Sequence, residues 1–186
     1  MDYKFIADTH LYDDYSLEWR DYLHMSLDDY AEMLIDNWNY FTHDDDIVLL
    51  DGDIGHYCER TLSTLRRLKG TLILVVGNHD SDWGTEIYHC GIFKGIHVQV
   101  NLNADVHVQH KPMFDDAMIQ RYKYLIHGHH HRYDMPNMQM KLSQYANNGK
   151  QLNCAADLNN HRPCTLQELI LNKEVNIERY REMGLL

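Results

Sequence analysis

The stretch TLILVVGNHD at residues 71–80 joins a run of apolar and β-branched residues to a polar cluster that begins with glycine. Two further stretches also join an apolar run to a polar cluster, YKFIADTH at residues 3–10 and DIVLLDGD at residues 46–53. A short apolar run without alternation is typical of a strand that is covered on both faces. The three stretches therefore predict buried strands that each end at carboxylate, amide or imidazole side chains.

Helical patterns separate these predicted strands. After Ser26, a candidate N-cap, apolar residues recur at spacings of three and four from Tyr30 to Phe41. A second helix is predicted from Cys58 to Lys69, with Gly70 as its C-terminal stop. Strands that alternate with helices indicate an α/β fold with a parallel sheet, and such sheets bind ligands past the carboxyl ends of their strands.

The second half of the chain is richer in predicted strands. Alternating or short apolar runs predict strands at residues 96–100, 105–108, 124–126, 138–142 and 151–155. Residues 147–149, NNG, indicate a hairpin turn. Thr165, with Glu168 three residues later, predicts a capped closing helix that runs to Leu171. Because the sequence contains no repeat, low-complexity segment or domain boundary, we expect a single domain over residues 1–186.

Composition and charge argue against several classes of protein. The chain has 28 acidic and 17 basic residues, for a formal net charge of −11 with neutral histidines. An acidic surface repels a phosphate backbone, so we expect no duplex DNA partner. The first residues lack the basic and apolar segments of a signal peptide, and no apolar run approaches the roughly 18 residues of a membrane span. We therefore expect a cytoplasmic protein without a membrane partner, and the sequence leaves its oligomeric state open.

Five polar clusters carry the chemistry. In chain order they are Asp8-Thr9-His10, Gly52-Asp53, Gly77-Asn78-His79-Asp80, His110 and Gly128-His129-His130-His131. Two divalent ions a few ångströms apart need mixed oxygen and nitrogen ligands with one bridging carboxylate, and such a pair stabilises in-line displacement at phosphorus. On a strand, the two side chains of a D-x-H unit lie on one face because alternation has period two. The same reasoning applies to residues 129–131, with His130 facing away.

In this order the clusters resemble the signature of the calcineurin-like metallophosphoesterase family, which reads D-x-H, G-D, G-N-H-D/E, an isolated His and G-H-x-H. The resemblance spans Asp8 to His131. Residues 157–163, DLNNHRP, also look like the close of a small bacterial and phage branch of that family. The resemblance implies a four-layer α/β/β/α sandwich and two divalent metal ions, with manganese expected first and iron, nickel or zinc as alternatives.

The resemblance also implies a role for each matching residue. The positions that match ligands of the first metal are Asp8, His10 and His131. The positions that match ligands of the second metal are Asn78, His110 and His129. Asp53 matches the carboxylate that bridges both metals. His79 matches a residue that contacts the phosphate and protonates the leaving oxygen, while a hydroxide bridging the metals attacks phosphorus in line.

Two departures from the family pattern matter. Small relatives continue the first motif as D-T-H-F-G-H, whereas this chain reads DTHLYD at residues 8–13, so Asp13 replaces a histidine. That replacement puts a substrate contact from this position in doubt. The chain reads GDIGHY at residues 52–57, which does not match the G-D-x-x-D-R-G of protein Ser/Thr phosphatases. We therefore do not expect a protein phosphatase.

Several neighbouring residues have two interpretations. Asp80 either orients His79 or caps a helix. His127 and His130 are less favoured as extra ligands, because the G-H-x-H frame already uses His129 and His131. Five further residues have either a substrate contact or a structural role as their interpretation: His161, Arg162, Tyr12, Tyr15 and Trp19.

The leading functional prediction is metal-dependent hydrolysis of a phosphodiester or phosphomonoester of a small molecule, with a nucleotide as one candidate. A nuclease uses the same chemistry, but the acidic charge and the lack of Lys/Arg runs argue against it. A non-catalytic protein-binding scaffold is a third hypothesis. It is disfavoured because every ligand position is filled.

Overall fold

Two mixed β-sheets lie at the centre of the fold. The computed structural model describes residues 2–20, 23–132 and 149–184. Within these ranges the strands are β1 (Tyr3–Ile6), β2 (Ile47–Leu50), β3 (Thr71–Val75), β4 (Gly95–His97), β5 (Gln99–Asn101), β6 (Val106–Gln109), β7 (Tyr124–His127), β8 (Gln151–Asn153) and β9 (Cys164–Thr165). The α-helices are α1 (Ser16–Trp19), α2 (Leu27–Phe41), α3 (Glu59–Leu65), α4 (Glu86–His89), α5 (Asp116–Arg121) and α6 (Leu166–Glu182).

The five-stranded sheet has the order β4-β3-β2-β1-β9, and the four-stranded sheet has the order β5-β6-β7-β8. In the first sheet β1 to β4 are parallel and only β9 is antiparallel to its neighbour. In the second sheet β6, β7 and β8 are parallel and β5 is antiparallel to β6. The parallel arrangement brings the carboxyl ends of β1, β2 and β3 to one edge, where the polar clusters follow.

The first sheet is buried on both faces, as its continuous apolar runs predict. Alternate residues of β2 separate into two cores: Val48 and Leu50 pack with helices, and Leu49 packs toward the second sheet. The helical side includes Leu34 and Trp38 of α2. Burial of these side chains fixes the sheet between α2 and the second sheet.

The core between the sheets also contains residues of β6, β7 and β8 together with Leu169 of α6. A smaller cluster joins Leu125 of β7 to Met118 and Ile119 of α5. The sheets are also linked through the backbone of Ala7, whose N–H donates to Cys154 at 3.0 Å. That link lies directly before the first polar cluster.

The predicted N-terminal caps of two helices are confirmed. Ser26 accepts a hydrogen bond from the N–H of Asp29 at the start of α2. Thr165 and Glu168 form a reciprocal capping box at the start of α6. The closing helix, however, continues to Glu182 rather than ending at Leu171.

The expected single strand at residues 96–100 is wrong. The chain forms β4 and β5 in different sheets, and Val98 between them is 80% exposed. An alternating pattern cannot show that a strand changes sheet, because both halves keep the same period. The predicted strand at residues 138–142 and most of the predicted turn at residues 147–149 lie outside the described residues.

Among the described helices, none is both long and apolar enough to cross a membrane.

A buried carboxylate anchors the start of the first two strands. Asp46 accepts hydrogen bonds from the N–H of Asp2 at 3.1 Å and of His43 at 2.9 Å, and Lys4 Nζ lies 3.0 Å away. The hydrogen bond from His43, aided by Lys4 and Asp2, outweighs burial and lowers the pKa of Asp46. A lowered folded-state pKa adds stability above the unfolded value of about 4, and this stability is lost as the pH falls below it.

We therefore expect Asp46→Asn to lower the free energy of unfolding at pH 7 by about 1–3 kcal/mol. The difference between the variant and the unmodified protein should shrink below about pH 4. Urea unfolding at several pH values measures it, with the exposed neighbour Asp44→Asn as control. A difference that does not change with pH would contradict the assignment.

Candidate metal centre

Two groups of carboxylate and imidazole side chains form beyond the strand ends. The first consists of Asp8, His10 and His131, and the second of Asp53, His110 and His129. In each group one potential ligand atom from every residue lies within 4.8 Å of the others. All six residues are buried except His129, which is half-buried. Each group could hold a metal ion, and together they contain six of the seven predicted ligands.

Asp8 lies at the centre of the first group. Its Oδ1 is 3.6 Å from His131 Nε2 and 3.9 Å from His10 Nε2. The opposite nitrogens face other carboxylates: His10 Nδ1 is 3.2 Å from Asp13 Oδ2, and His131 Nδ1 is 3.4 Å from Asp157 Oδ2. Such outer carboxylates fix the orientation of a metal-binding imidazole. Asp13 thus supports a predicted ligand from the position where a histidine was expected.

His110 is oriented in the second group by the backbone. Its Nδ1 lies 2.6 Å from the carbonyl oxygen of Asp51, to which it can donate. This contact directs Nε2 to Asp53 Oδ2, which is 3.1 Å away. The ring centroids of His110 and His129 are 5.4 Å apart. The neutral ring would therefore present a lone pair to the same space as the carboxylate.

Asp53 belongs to the second group and also faces the first. Its Oδ2 is 3.1 Å from His110 Nε2 and 3.8 Å from His10 Nε2. Its Oδ1 accepts a hydrogen bond from the backbone N–H of His79 at 2.8 Å. One carboxylate oxygen thus faces an imidazole of each group, which is the position that a bridging carboxylate would need.

The site gathers several carboxyl groups in a buried space, where burial disfavours their negative charge. Burial raises the pKa of Asp8 to about 6, against the opposing effect of His131. Burial alone would lower the pKa of His110, but its contact with Asp53 and the nearby carboxylates outweigh burial and raise the pKa to about 10. Burial also raises the pKa of Asp51 well above its usual range. A divalent cation would compensate this charge, and the oxygen and nitrogen donors fit a first-row metal.

The clustered candidate ligands lie in loops rather than in strands, and four of them have strained backbone conformations. Asp8, His10, Asp53 and His129 have φ values of 57°, 38°, 52° and 69°. Such left-handed conformations are uncommon for residues other than glycine and gather at functional sites. The expectation that the D-x-H and H-x-H units lie on strands is therefore wrong. Strand β1 ends at Ile6 and β7 ends at His127, so both units lie in the loops that follow these strands.

A buried arginine holds the first of these loops. Arg20 donates from Nη2 to the carbonyl oxygens of Asp8 at 2.9 Å and Thr9 at 2.8 Å. Its guanidinium carbon lies 4.0 Å from the centroid of the Tyr30 ring. Sequence patterns do not indicate this role of Arg20, because contacts to carbonyl oxygens follow no residue pattern.

Two glycines in the motifs are required by close packing. A Cβ on Gly128 would lie 2.4 Å from Asp8 Oδ2, and a Cβ on Gly77 would lie 2.3 Å from Asp53 Oδ1. Any side chain would displace a candidate ligand. The glycines of G-H-x-H and G-N-H-D therefore make room for carboxylates of other clusters.

Asp80 joins the loops that follow β2 and β3. Its buried carboxylate accepts hydrogen bonds from the N–H groups of Gly77 at 2.7 Å, Ile54 at 2.9 Å and Asp53 at 3.0 Å. Neither predicted role, orienting the side chain of His79 or capping a helix, describes these contacts. Asp80 instead fixes the backbone that carries Asp53.

His79 and Asn78 lie beside the two groups and are exposed. The His79 ring centroid is 5.4 Å from that of His10, and His79 lines a cavity of about 600 Å³ next to the candidate ligands. Asn78 lies in a neighbouring groove together with His110. Both predicted residues are therefore placed near the centre.

The extra histidines have structural surroundings. His127 is buried with Nδ1 2.8 Å from the carbonyl oxygen of Gly128. His130 is also buried, and neither residue belongs to the two ligand groups. His161 is buried against Tyr30, with ring centroids 5.5 Å apart. Burial favours the structural interpretation of all three histidines, and the contacts of His127 and His161 agree with it.

The remaining described residues with two interpretations either make structural contacts or line the cavity. Arg162 pairs with Glu168 at 2.9 Å and is not among the described lining residues of the cavity. Tyr12 packs against the helical core, whereas Tyr15 lines the cavity. The side chain of Trp19 lies outside the described part of the structure.

The chain matches no protein-family model and no curated protein. Its structure is similar to the crystal structure of the protein of unknown function AQ665 from Aquifex aeolicus. The two superpose with a TM-score of 0.69 and 21% sequence identity, over 90% of this chain and 96% of that chain. At this identity the likeness concerns the fold alone.

We expect Asp157→Asn to weaken metal binding about 10- to 100-fold, because the neutral amide loses the charge that orients His131. Titration calorimetry with manganese chloride measures the affinity. Glu174→Gln, an exposed change of equal charge in α6, is the matched control. Unchanged affinity and stoichiometry in Asp157→Asn would exclude this supporting role.

Proposed function

We propose that this chain is a metal-dependent phosphoesterase of the calcineurin-like metallophosphoesterase family. It would hydrolyse a phosphodiester or phosphomonoester of a small molecule. The observation that carries the proposal is Asp53, whose one oxygen faces His10 in the first ligand group and His110 in the second. Two ligand groups that share a carboxylate suit chemistry in which two charges act on one phosphoryl group.

Two divalent ions are proposed as cofactors, with manganese as the first candidate and iron, nickel or zinc as alternatives. The residues that would hold the first are Asp8, His10 and His131, and those for the second are Asn78, His110 and His129. Asp53 would contact both. When bound, the ions would neutralise charge on phosphoryl oxygens and make water a stronger nucleophile.

His79 is proposed as the general acid. Its backbone N–H is fixed by the carboxylate of Asp53, and its exposed side chain lines the cavity. An imidazole can protonate a departing oxygen near neutral pH. Because His79 is not in either ligand group, its proton stays available to the substrate.

The fold supports the same proposal. Helices cover the outer face of the first sheet, the two sheets share a core, and α5 packs on β7. This arrangement agrees with the proposed four-layer α/β/β/α sandwich. A nuclease is less well supported, because Asp13 and Asp82 line the cavity and would repel a polyanionic strand. A non-catalytic scaffold is disfavoured by the filled ligand groups.

We expect Asp53→Ala to lower kcat by on the order of 10³-fold, because both ligand groups lose their shared carboxylate. Purified protein with manganese is assayed on bis-p-nitrophenyl phosphate, p-nitrophenyl phosphate and cyclic nucleotides. The preferred ester separates diesterase from monoesterase activity. Asp44→Asn is the control, and full activity of Asp53→Ala would refute the shared site.

We expect His79→Ala to lower kcat by about 10²–10⁴-fold on esters with poor leaving groups, while metal affinity is retained. The loss should be much smaller for p-nitrophenyl esters, because that leaving group needs little protonation. Paired assays on alkyl and p-nitrophenyl diesters measure the difference. An equal loss on both would show that His79 binds the phosphate and is not the acid.

A further inference from the structure

The described wall of the cavity beside the candidate metal centre carries acidic rather than basic side chains. Its volume of about 600 Å³ suits a small molecule. Besides the candidate ligands, His79 and Gly55, its lining includes Asp13, Tyr15, His56 and Asp82. No lysine or arginine is found among its described lining residues. The wall thus combines two carboxylates with the phenol ring of Tyr15 and the imidazole of His56.

Asp82 has a fixed backbone position at this cavity. It belongs to the 3-10 turn His79–Trp83, and its side chain is exposed. Trp83 is only 1% exposed, and its Nε1 donates to the carbonyl oxygen of Gly55 at 2.8 Å. Because Gly55 also lines the cavity, this bond ties the turn to the cavity wall.

Tyr15 and Asp13 are held together on the same wall. The N–H of Tyr15 donates to Asp13 Oδ1 at 3.1 Å, while Asp13 Oδ2 faces His10. The Tyr15 residue is 80% exposed and lines the cavity. A cation is attracted both to carboxylates and to the face of an aromatic ring. An anionic substituent would be repelled by Asp13 and Asp82.

We propose that the cavity takes the cationic group of a phosphodiester of an amino alcohol. An ammonium or quaternary ammonium group would lie against Asp82 and Tyr15, and the phosphodiester group would lie at the candidate metal centre. This inference rests on the proposed phosphoesterase function and names its substrate class.

The reaction is a hydrolysis that balances without a further reactant. The oxygen of water forms a bond to phosphorus, and the P–O bond to one alcohol breaks. The departing alcohol takes up a proton, which under the proposed function comes from His79, and the proton lost by the attacking water restores His79. The other alcohol remains esterified to the phosphate.

Binding tests the cation site without turnover. Calorimetry on the manganese-loaded protein compares phosphocholine with 3,3-dimethylbutyl phosphate, which has nearly the same shape but no positive charge. We expect phosphocholine to bind about tenfold tighter, from one carboxylate and one aromatic contact. Asp82→Asn should reduce this preference roughly three- to fivefold. Tyr15→Leu should reduce it about two- to fivefold.

Asp44→Asn is the matched control, because it removes the same charge before the amino end of β2, away from the cavity. It should keep the full preference for phosphocholine. Equal affinities for the two ligands, or binding of neither, would overturn the cation site. So would an unchanged preference in Asp82→Asn.

Hydrolysis separates this inference from the proposed function. The p-nitrophenyl esters of phosphocholine and of 3,3-dimethylbutyl phosphate share one leaving group. A higher kcat/KM for the choline ester supports both proposals. Equal kcat/KM values retain the phosphoesterase and overturn the substrate class. Selective binding without hydrolysis of either ester retains the cation site and overturns the phosphoesterase.

Discussion

The backbone hydrogen bonds to the carboxylate of Asp80 are the interaction on which the candidate site depends most. This carboxylate accepts three backbone hydrogen bonds, from Gly77, Asp53 and Ile54, and thereby couples the loops after two neighbouring strands. Burial raises the pKa of Asp80, although the backbone donors oppose this effect. A carboxylate that bonds to three N–H groups at once admits little movement of either loop. The position of Asp53 between the two ligand groups follows from this coupling.

Contacts from neighbouring residues support the strained backbone of the candidate site. Four candidate ligands adopt left-handed backbone conformations, each of which costs on the order of 1–3 kcal/mol. Such conformations persist only where surrounding contacts determine them. Arg20 supplies these contacts to the loop that carries Asp8 and His10, and the N–H of His129 donates to Asp8 Oδ2 at 2.9 Å. The supporting residues are therefore as much a part of the site as the ligands.

Sequence reasoning predicted most of the described strands, two helix caps and the six candidate ligands that cluster in the structure, because each leaves a signal in the sequence. Apolar runs fixed the positions of β1, β2 and β3, and the spacing of Thr165 and Glu168 predicted the start of α6. The change of sheet at Val98 and the left-handed backbone of four candidate ligands leave no such signal. Both depend on contacts between distant segments. The roles of Asp157 and Arg20 were missed for the same reason. Asp157 contacts His131 across 26 residues of sequence, and Arg20 donates to backbone carbonyl oxygens. Neither kind of contact follows a sequence period.

The distribution of charge explains how an acidic chain could select a phosphoester. The net charge of −11 opposes the approach of polyanions in general. Under the proposed function, two divalent ions would reverse the sign only at the buried carboxylates of Asp8 and Asp53. Asp13 and Asp82 would keep the cavity wall negative a short distance away. A site that is positive at its base and negative at its wall favours a ligand with a single phosphate charge beside a cationic group. Polyphosphates and nucleic acids, which carry negative charge throughout, lack that arrangement.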